Sequence, residues 1–195
     1  MSPRLITRDH ILPMERYAEV RDARRRQIAE MKKIRRVHVG PDVTFYFENF
    51  DTMLHQVHEM LAVEKGGEAQ IEDELRAYNP LVPSGQELVA TMMIEIDDPG
   101  RRDRMLRRLG GIESTAAFTV AGETITAVPE SDVERTTKEG KTSSVHFLRF
   151  AFSDSQIAAF RTSGARVVLS LSHPDYDHMA AVPEPVRAAL AEDFT

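Results

Sequence analysis

The stretch VHFLRFAFSDSQIAAFRTSGARVVLSL, residues 145–171, contains the pattern that decides the fold class. Its first part, Val145–Phe152, alternates as a strand with one packed face does. Ser153-Asp154 then provides a helix N-cap, a helix follows as far as Gly164, and Arg166–Leu171 is again rich in β-branched and aliphatic residues. The stretch therefore predicts a strand, a capped helix, a glycine stop and a second strand.

The same order occurs a second time, upstream in the chain. Leu88–Ile96 is a predicted strand that leads through Asp97-Asp98-Pro99 into a helix, and that helix ends at Gly110-Gly111 before the strand Ser114–Val120. The next two residues, Ala121 and Gly122, predict a tight hairpin into a further strand at residues 123–128. Two strand–helix–strand units joined by a hairpin resemble a split βαβ, or ferredoxin-like, arrangement.

One more strand and several helices complete the predicted architecture. Val43–Asn49 alternates apolar with polar residues, and short helices are predicted at 51–64, 68–78 and 184–192. The predicted fold class is α+β, with a mostly antiparallel sheet of about five to six strands, helices packed on it and a long N-terminal helix. Residues 1–195 are predicted to form a single domain.

The N-terminal segment differs from the rest in charge. Residues 1–36 contain 11 Lys and Arg against 5 Asp and Glu, whereas the whole chain has a formal net charge of −6. Apolar residues recur at threes and fours from Leu12 to Ile34, which predicts the long helix, loosened around Arg24–Arg26. We expect this basic helical segment to dock on the acidic α+β body at 37–195; nucleic-acid binding through it is the less favoured interpretation.

Composition excludes several classes of chemistry. The chain has no cysteine, so it cannot form disulfides, use a thiolate nucleophile or hold an iron–sulfur cluster through its own thiolates. It shows neither a signal-peptide h-region nor an apolar run long enough for a membrane span, which predicts a cytoplasmic protein. Other cofactors stay open, and so does a homo-oligomer.

A predicted core follows from the strand and helix patterns. Phe147 and Phe150 fall on opposite faces of one strand, so both faces must be covered, at least in part, by other elements. The expected core residues are Phe47, Leu54, Val57, Met92, Ile94, Phe147, Phe150 and Leu169.

Two histidines are candidate metal ligands. His55 and His58 are three residues apart on a predicted helix, close enough to share a metal ion. The zincin pattern needs its second histidine four residues after the first, and that pattern is not present. Half-buried histidines beside an apolar stripe are the alternative interpretation.

A second candidate site lies in two loops. His173, Tyr176 and His178 follow a predicted strand together with two aspartates, a grouping suited to acid–base or metal chemistry, although Asp and Pro there also suit an ordinary turn. The long polar loop before residue 145 contributes Arg135, Lys141 and Ser143 as candidate anion ligands, although it is not a Walker A motif. A mobile hairpin is the alternative for this loop.

The sequence predicts that these two loops meet at one functional site. His146 begins the strand that follows the polar loop, and it shares a face with Leu148, Phe150 and Phe152. We therefore expect His146 to be a hydrogen-bonded histidine at the rim of the core, beside the site.

Several phrases of the sequence, taken together, resemble a known family. They are Thr7–Leu12, Phe47–Asn49, Tyr78–Pro83, Met93–Glu95, Glu134–Thr136 and Ser144–Phe150. The chain resembles, over essentially its whole length, the bacterial domain-of-unknown-function family 3501.

The resemblance implies a setting and no catalytic residues. It implies neighbouring genes for rubrerythrin-like di-iron proteins and iron–sulfur oxidoreductase subunits, and hence partners of those kinds. The first hypothesis is therefore an accessory or binding protein that works beside such redox proteins. The alternative is a metal- or anion-dependent enzyme that uses the region of His146, His173 and His178.

Overall fold

The computed structural model describes residues 4–130, 135–137 and 140–195. Its strands form two antiparallel sheets. The five-stranded sheet has the order β1 (Arg36–Val39), β2 (Val43–Glu48), β3 (Glu87–Ile94), β7 (Val145–Ala151) and β6 (Val128–Pro129). The four-stranded sheet has the order β5 (Glu123–Thr126), β4 (Ala116–Val120), β8 (Val167–His173) and β9 (Tyr176–Ala181).

Six α-helices accompany the sheets in the described part of the chain. They are α1 (Met14–Lys33), α2 (Phe50–Glu64), α3 (Glu68–Tyr78), α4 (Pro99–Arg108), α5 (Asp154–Arg161) and α6 (Glu184–Ala191). The α+β class and the antiparallel pairing are confirmed, and all six predicted strands are present.

The main core lies between the two sheets. In β4, β7 and β8, buried side chains alternate with less buried ones, so the two inner faces can interdigitate. Phe118 of β4 is fully buried at the centre, with its ring centroid 5.7 Å from that of Phe47 and 4.8 Å from that of Phe150. Phe160 of α5 closes one end of this cluster at 6.1 Å from Phe118.

Helices cover the outer face of the five-stranded sheet, which is the face turned away from the four-stranded sheet. Val57 and Leu61 of α2 and Ile71 of α3 form a second apolar cluster that includes Val89 of β3, with Phe147 of β7 packed against it. The expectation that both faces of β7 are covered is confirmed. Phe147 and Leu54 are only partly buried, whereas the other six residues predicted for the core are buried.

The strand–helix–strand units join the two sheets and do not form a ferredoxin-like split βαβ within one sheet. β3 passes through α4 to β4, and β7 passes through α5 to β8, and in each case the second strand belongs to the other sheet. The sequence pattern is the same for both arrangements, because the period of a strand does not say which strand it will pair with.

Two strands were not predicted, and one predicted strand is divided. β1 lies where the sequence suggested a turn, and β9 covers Tyr176–Ala181, where the sequence suggested a loop. The predicted strand at 123–128 is interrupted at Ala127, so β5 and β6 belong to different sheets. The hairpin at Ala121-Gly122 is confirmed, and both residues have positive φ, as a tight hairpin turn requires.

The N-terminal helix is confirmed, but α1 is continuous through Arg24–Arg26, and most of its surface is exposed. Tyr17 and Ile28 are its buried residues. Its Arg21 forms an ion pair of 2.9 Å with Glu59 of α2, so at this point the basic segment does contact the acidic body.

Within the described residues, no helix is both long enough and apolar enough to cross a membrane.

Candidate functional site

A row of three side chains crosses the outer face of the five-stranded sheet. The register places Tyr46 of β2 opposite Thr91 of β3, and Thr91 opposite Phe147 of β7. Because side chains that are paired across strands lie on the same face, these three form a continuous floor. Above this floor is a cavity of about 290 Å³.

The walls of this cavity come from the helices that cover the sheet. The remaining lining residues are Lys32 of α1, Met53 and Gln56 of α2, Tyr78 and Leu81 at the end of α3, and Glu48 and Met93 of the sheet. The lining is mainly apolar with a few polar groups, which is the usual composition of a site for a small organic molecule.

Glu48 is the most unusual group in this cavity. The residue is 4% exposed, and each carboxylate oxygen accepts one hydrogen bond from a hydroxyl group. Thr91 donates to Oε1 at 2.7 Å, and Thr52 donates to Oε2 at 2.7 Å. Within the described chain, no Lys, Arg or His side-chain nitrogen lies within 4.0 Å of its carboxylate oxygens. Buried carboxylates are normally paired with a cation.

Two buried aspartates of the described chain follow that rule. Asp42 forms a bidentate pair with Arg101, with bonds of 2.9 and 2.6 Å, and Asp193 pairs with Arg35. Glu48 alone combines a cavity wall with hydroxyl donors and no cation. A carboxylate has about four acceptor sites, so Glu48 keeps acceptor capacity for a group that enters the cavity.

The position of Glu48 follows from a helix cap. Asn49 is the N-cap of α2, and its side chain accepts a bond of 3.0 Å from the backbone N–H of Thr52. The sequence predicted that this helix begins at residue 51. Because the N-cap Asn49 directly follows the strand, β2 ends at Glu48. The first turn of α2 then places the Thr52 hydroxyl beside the Glu48 carboxylate.

A hydrogen-bonded chain runs along the rim of the cavity. The Tyr46 hydroxyl donates to Glu95 Oε1 at 2.9 Å, and Thr44 Oγ1 donates to Glu95 Oε2 at 2.6 Å. His38 Nδ1 therefore donates to Thr44 Oγ1, 2.9 Å away. Burial, together with the bond to Glu95, raises the pKa of Tyr46, so its hydroxyl stays protonated.

The predicted anion ligands each have a partner within the described chain. Arg135 donates to Glu130 and to the carbonyl of Val145, and its guanidinium lies 4.8 Å from the centroid of the Phe147 ring. Lys141 donates instead to Asp103 of α4 at 2.7 Å. The Ser143 hydroxyl accepts from the backbone N–H of residue 145. Arg135 therefore supports the Phe147 ring, and Glu134, at the start of the predicted loop, lies outside the described residues.

His146 faces the core side of β7, as predicted. Its Nε2 donates to the Ser143 carbonyl at 2.9 Å and also lies 3.1 Å from the Thr142 hydroxyl. Its Nδ1 lies 3.7 Å from Glu113 Oε2, a buried oxygen with no hydrogen-bond partner in the described chain. Burial lowers the pKa of His146, Glu113 partly offsets that effect, and Arg135 adds to it.

This burial predicts a pH dependence of stability. Because the folded pKa of His146 lies below its ordinary value of 6.5, the unfolded chain takes up a proton first as the pH falls below 6.5, and stability is lost. Burial also lowers the pKa of His55 and His58, so they contribute in the same direction. We expect the free energy of unfolding to fall between about pH 7.5 and about pH 5.5.

Urea unfolding at the two pH values measures this effect. The variant His146→Gln is expected to lose part of the dependence, at most about 1.4 kcal/mol per pH unit for one group. The control Thr142→Val keeps the imidazole and is expected to keep the dependence. The same slope in wild type and His146→Gln would contradict the assignment.

The candidates at the other loop have structural contacts. His173 Nε2 donates to the Gly110 carbonyl at 3.2 Å, and its Nδ1 accepts from the backbone of Asp175. The Tyr176 hydroxyl donates to the Val39 carbonyl at 2.8 Å and thereby joins the two sheets. His178 is exposed, with its ring edge-on to Tyr176.

The two predicted loops do approach each other at Gly110. A Cβ on this glycine would lie 2.7 Å from the carbonyl oxygen of Gly140, and the Gly110 carbonyl is the one that binds His173. Backbone atoms and the His173 imidazole make this approach, whereas the side chains of His146 and Lys141 bond elsewhere. The arrangement holds the loop against α4 and β8.

His55 and His58 join α1 to α2. His58 Nδ1 donates to the Leu54 carbonyl, and its Nε2 accepts from the backbone N–H of Leu12, so both ring nitrogens are occupied. The Tyr17 hydroxyl lies 3.3 Å from His55 Nδ1 and donates to Glu59. Arg21 and Tyr17 lower the pKa of Glu59 to about 2.

A metal ion on His58 would have to displace one of these two backbone bonds. Among the residues that the structure describes, no group of three or more His, Asp or Glu side chains is placed to hold a metal ion.

Sequence reasoning did not identify Glu48 or Lys32 as site residues. The sequence did contain an indication of this site. Thr44, Tyr46 and Glu48 alternate with the core residues of β2, and the apolar Phe147 predicts that the outer face of the sheet is covered. A polar row on a covered face must lie in or beside a cavity.

The fold and the site define a class: an α+β protein of two packed antiparallel sheets, with a mainly apolar cavity between the outer face and its helices. Residues 5–194 match the family described as "Protein of unknown function (DUF3501)", and the chain belongs to that family. The resemblance seen in the sequence is thereby confirmed.

One solved structure shares this fold over nearly the whole chain. It is described as a novel protein of unknown function from Burkholderia pseudomallei K96243, is 38% identical, covers 97% of this chain and 99% of its own, and has a TM-score of 0.90. No curated protein matches the chain.

Proposed function

We propose that this protein is a binding protein for a small organic molecule, which occupies the cavity over Tyr46, Thr91 and Phe147 and donates a hydrogen bond to Glu48. One observation carries the proposal: a buried carboxylate lines a cavity and has hydroxyl donors but no cation among the described residues. A ligand donor would fill the acceptor capacity that the chain leaves open.

The alternative, a metal- or anion-dependent enzyme at His146, His173 and His178, has less support. His146 and His173 each bond to a backbone carbonyl, and the cations expected to bind an anion bond to carboxylates.

The proposal includes partners that carry redox groups. The family resemblance supports iron–sulfur or rubrerythrin-like proteins as these partners, and the absence of cysteine means that any cluster would belong to the partner. A pull-down from a native host is expected to recover such a protein. Recovery only of partners that contain no iron would contradict this part of the proposal and would not affect the proposed ligand binding in the cavity.

Filling the cavity tests the binding function. Met93→Trp places a large side chain among the lining residues, whereas Met179→Trp makes the same change on β9, where Met179 is 74% exposed. Ligands that bind the folded state raise its melting temperature in proportion to RT ln(1 + [L]/Kd).

We expect a library of small organic fragments, screened by thermal shift, to contain compounds that stabilise the wild type and Met179→Trp but not Met93→Trp. A library in which no compound distinguishes the two variants would refute the proposal.

A further inference from the structure

We infer that the ligand is a free amino acid, or a molecule with the same paired ammonium and carboxylate, that carries an apolar side chain. This inference rests on the proposed binding function and adds the ligand's chemical class.

The cavity contains two opposite charges that do not neutralise each other. Glu48 reaches it from β2, and Lys32 reaches it from α1. No ion pair within 4.0 Å joins them, and the Lys32 ammonium has no hydrogen bond or ion pair within the described chain. Two free charges of opposite sign in one cavity match a ligand that carries both charges itself.

Each charge suits one end of an amino acid. A ligand ammonium can donate to Glu48, whose oxygens are held in place by Thr52 and Thr91. Lys32 is a flexible point charge that can meet the ligand's carboxylate without a fixed geometry. Binding both ends restores the pairing that a buried carboxylate needs.

Apolar residues form the rest of the cavity. The side chain of the ligand would contact Met53, Leu81, Met93 and Phe147. Methionine adapts to irregular shapes, and Phe147 offers an aromatic ring that Arg135 supports. The volume of about 290 Å³ lies near the lower limit for small-molecule sites, roughly 300 Å³, so the ligand is a single amino acid in size.

Two further polar side chains could orient the ligand in the cavity. Gln56 and Tyr78 line the cavity, and neither side chain has a hydrogen bond to the described part of the chain. An amide and a phenol can each donate and accept, so they can bond to the ammonium or the carboxylate of the ligand. The competing occupant of Glu48 is the ammonium of Lys32 itself, bent into the cavity.

The experiment uses the full chain and three families of probes, measured by isothermal titration calorimetry. The zwitterions are L-phenylalanine, L-leucine and L-methionine; the matched single-charge probes are phenethylamine and 3-phenylpropionate. We expect at least one zwitterion to bind about 10-fold or more tightly than its single-charge analogues.

Variants of Glu48 and Lys32 test which charge of the ligand each residue binds. Glu48→Gln is expected to weaken the zwitterion and phenethylamine about 10-fold and to leave 3-phenylpropionate unchanged. Lys32→Met is expected to weaken the zwitterion and 3-phenylpropionate and to leave phenethylamine unchanged. The control is Lys33→Met, an exposed neighbour that pairs with Glu30, and it is expected to bind like the wild type.

The outcomes separate this inference from the binding function. If fragments bind in the cavity but no zwitterion binds, or if zwitterion affinity is the same in wild type, Glu48→Gln and Lys32→Met, the inference is wrong and the binding function stands. Stronger binding of phenethylamine in Lys32→Met, with no zwitterion preference, would show that Lys32 itself occupies Glu48. If no fragment binds in the cavity, both proposals fail.

Discussion

Replacing Phe118 with alanine is expected to lower the free energy of unfolding by about 3–5 kcal/mol. Phe118 is fully buried between the two sheets, and its ring contacts those of Phe47, Phe150, Phe152 and Phe160. The cost combines the lost burial of an aromatic ring with a cavity that neighbours from two sheets cannot refill, because each is held in its own strand or helix.

Phe147→Ala is the matched control, since it makes the same chemical change at a partly buried position beside an existing cavity. Urea unfolding is expected to show a clearly smaller loss for Phe147→Ala than for Phe118→Ala. The sequence placed both Phe147 and Phe150 in the predicted core, and a loss of about 3–5 kcal/mol is also expected for Phe150→Ala, because Phe150 is fully buried. Equal losses for Phe118→Ala and Phe147→Ala would contradict the two-sheet core.

Replacing Arg35 with methionine is expected to cost about 3–5 kcal/mol, because it leaves the carboxylate of Asp193 buried without a cation. Arg35 is 4% exposed and donates to the carbonyls of Phe47, Glu48 and Ala189 as well as to Asp193. It therefore joins the strand β2 to the C-terminal segment of the chain.

The pH dependence of this loss provides an independent test. Burial raises the pKa of Asp193, and Arg35 partly opposes that effect, so removal of Arg35 raises the pKa further. A carboxylate with a raised folded pKa loses stability as the pH rises. The cost of Arg35→Met is therefore expected to be smaller near about pH 4.5 than near about pH 7.

Two further variants complete this series. Arg35→Met combined with Asp193→Leu removes both charges and is expected to recover much of the stability. Arg16→Ala breaks the exposed pair with Glu19 and is expected to cost less than about 1 kcal/mol. A double variant no more stable than Arg35→Met would show that the backbone bonds of Arg35 matter more than its charge.

The six strands found from the sequence share a local signal. In each, apolar residues alternate and Gly, Pro or Asp follows the end, so the information lies within a few neighbouring residues. β1 and β9 were missed for the opposite reason. β1 is a four-residue strand beside a glycine turn, and β9 is an edge strand whose residues are mostly exposed, so neither needs a clear apolar pattern.

The sequence and the structure point to different places for a functional site. Sequence reasoning favoured loops rich in histidine and arginine, where the structure shows side chains bonded to backbone or to opposite charges. The sequence did not indicate Glu48 as a site residue, because a glutamate that alternates with core residues on a strand normally faces water. Its burial depends on α2 and α3 lying across the strand, and a strand's own pattern does not contain that fact.

The sequence by itself determined the α+β class, the six main strands, the inward direction of Phe47, His146 and Phe150, and the family. These follow from periods of 2 and 3.6 residues, from caps and from glycine stops, all of which act over short distances. Only the tertiary structure decided that the strands divide into two sheets, that Arg35 pairs with Asp193, and that Lys32 and Glu48 line one cavity. Those pairings join residues far apart in the chain, and they are selected by the packing of whole faces, which no local pattern specifies.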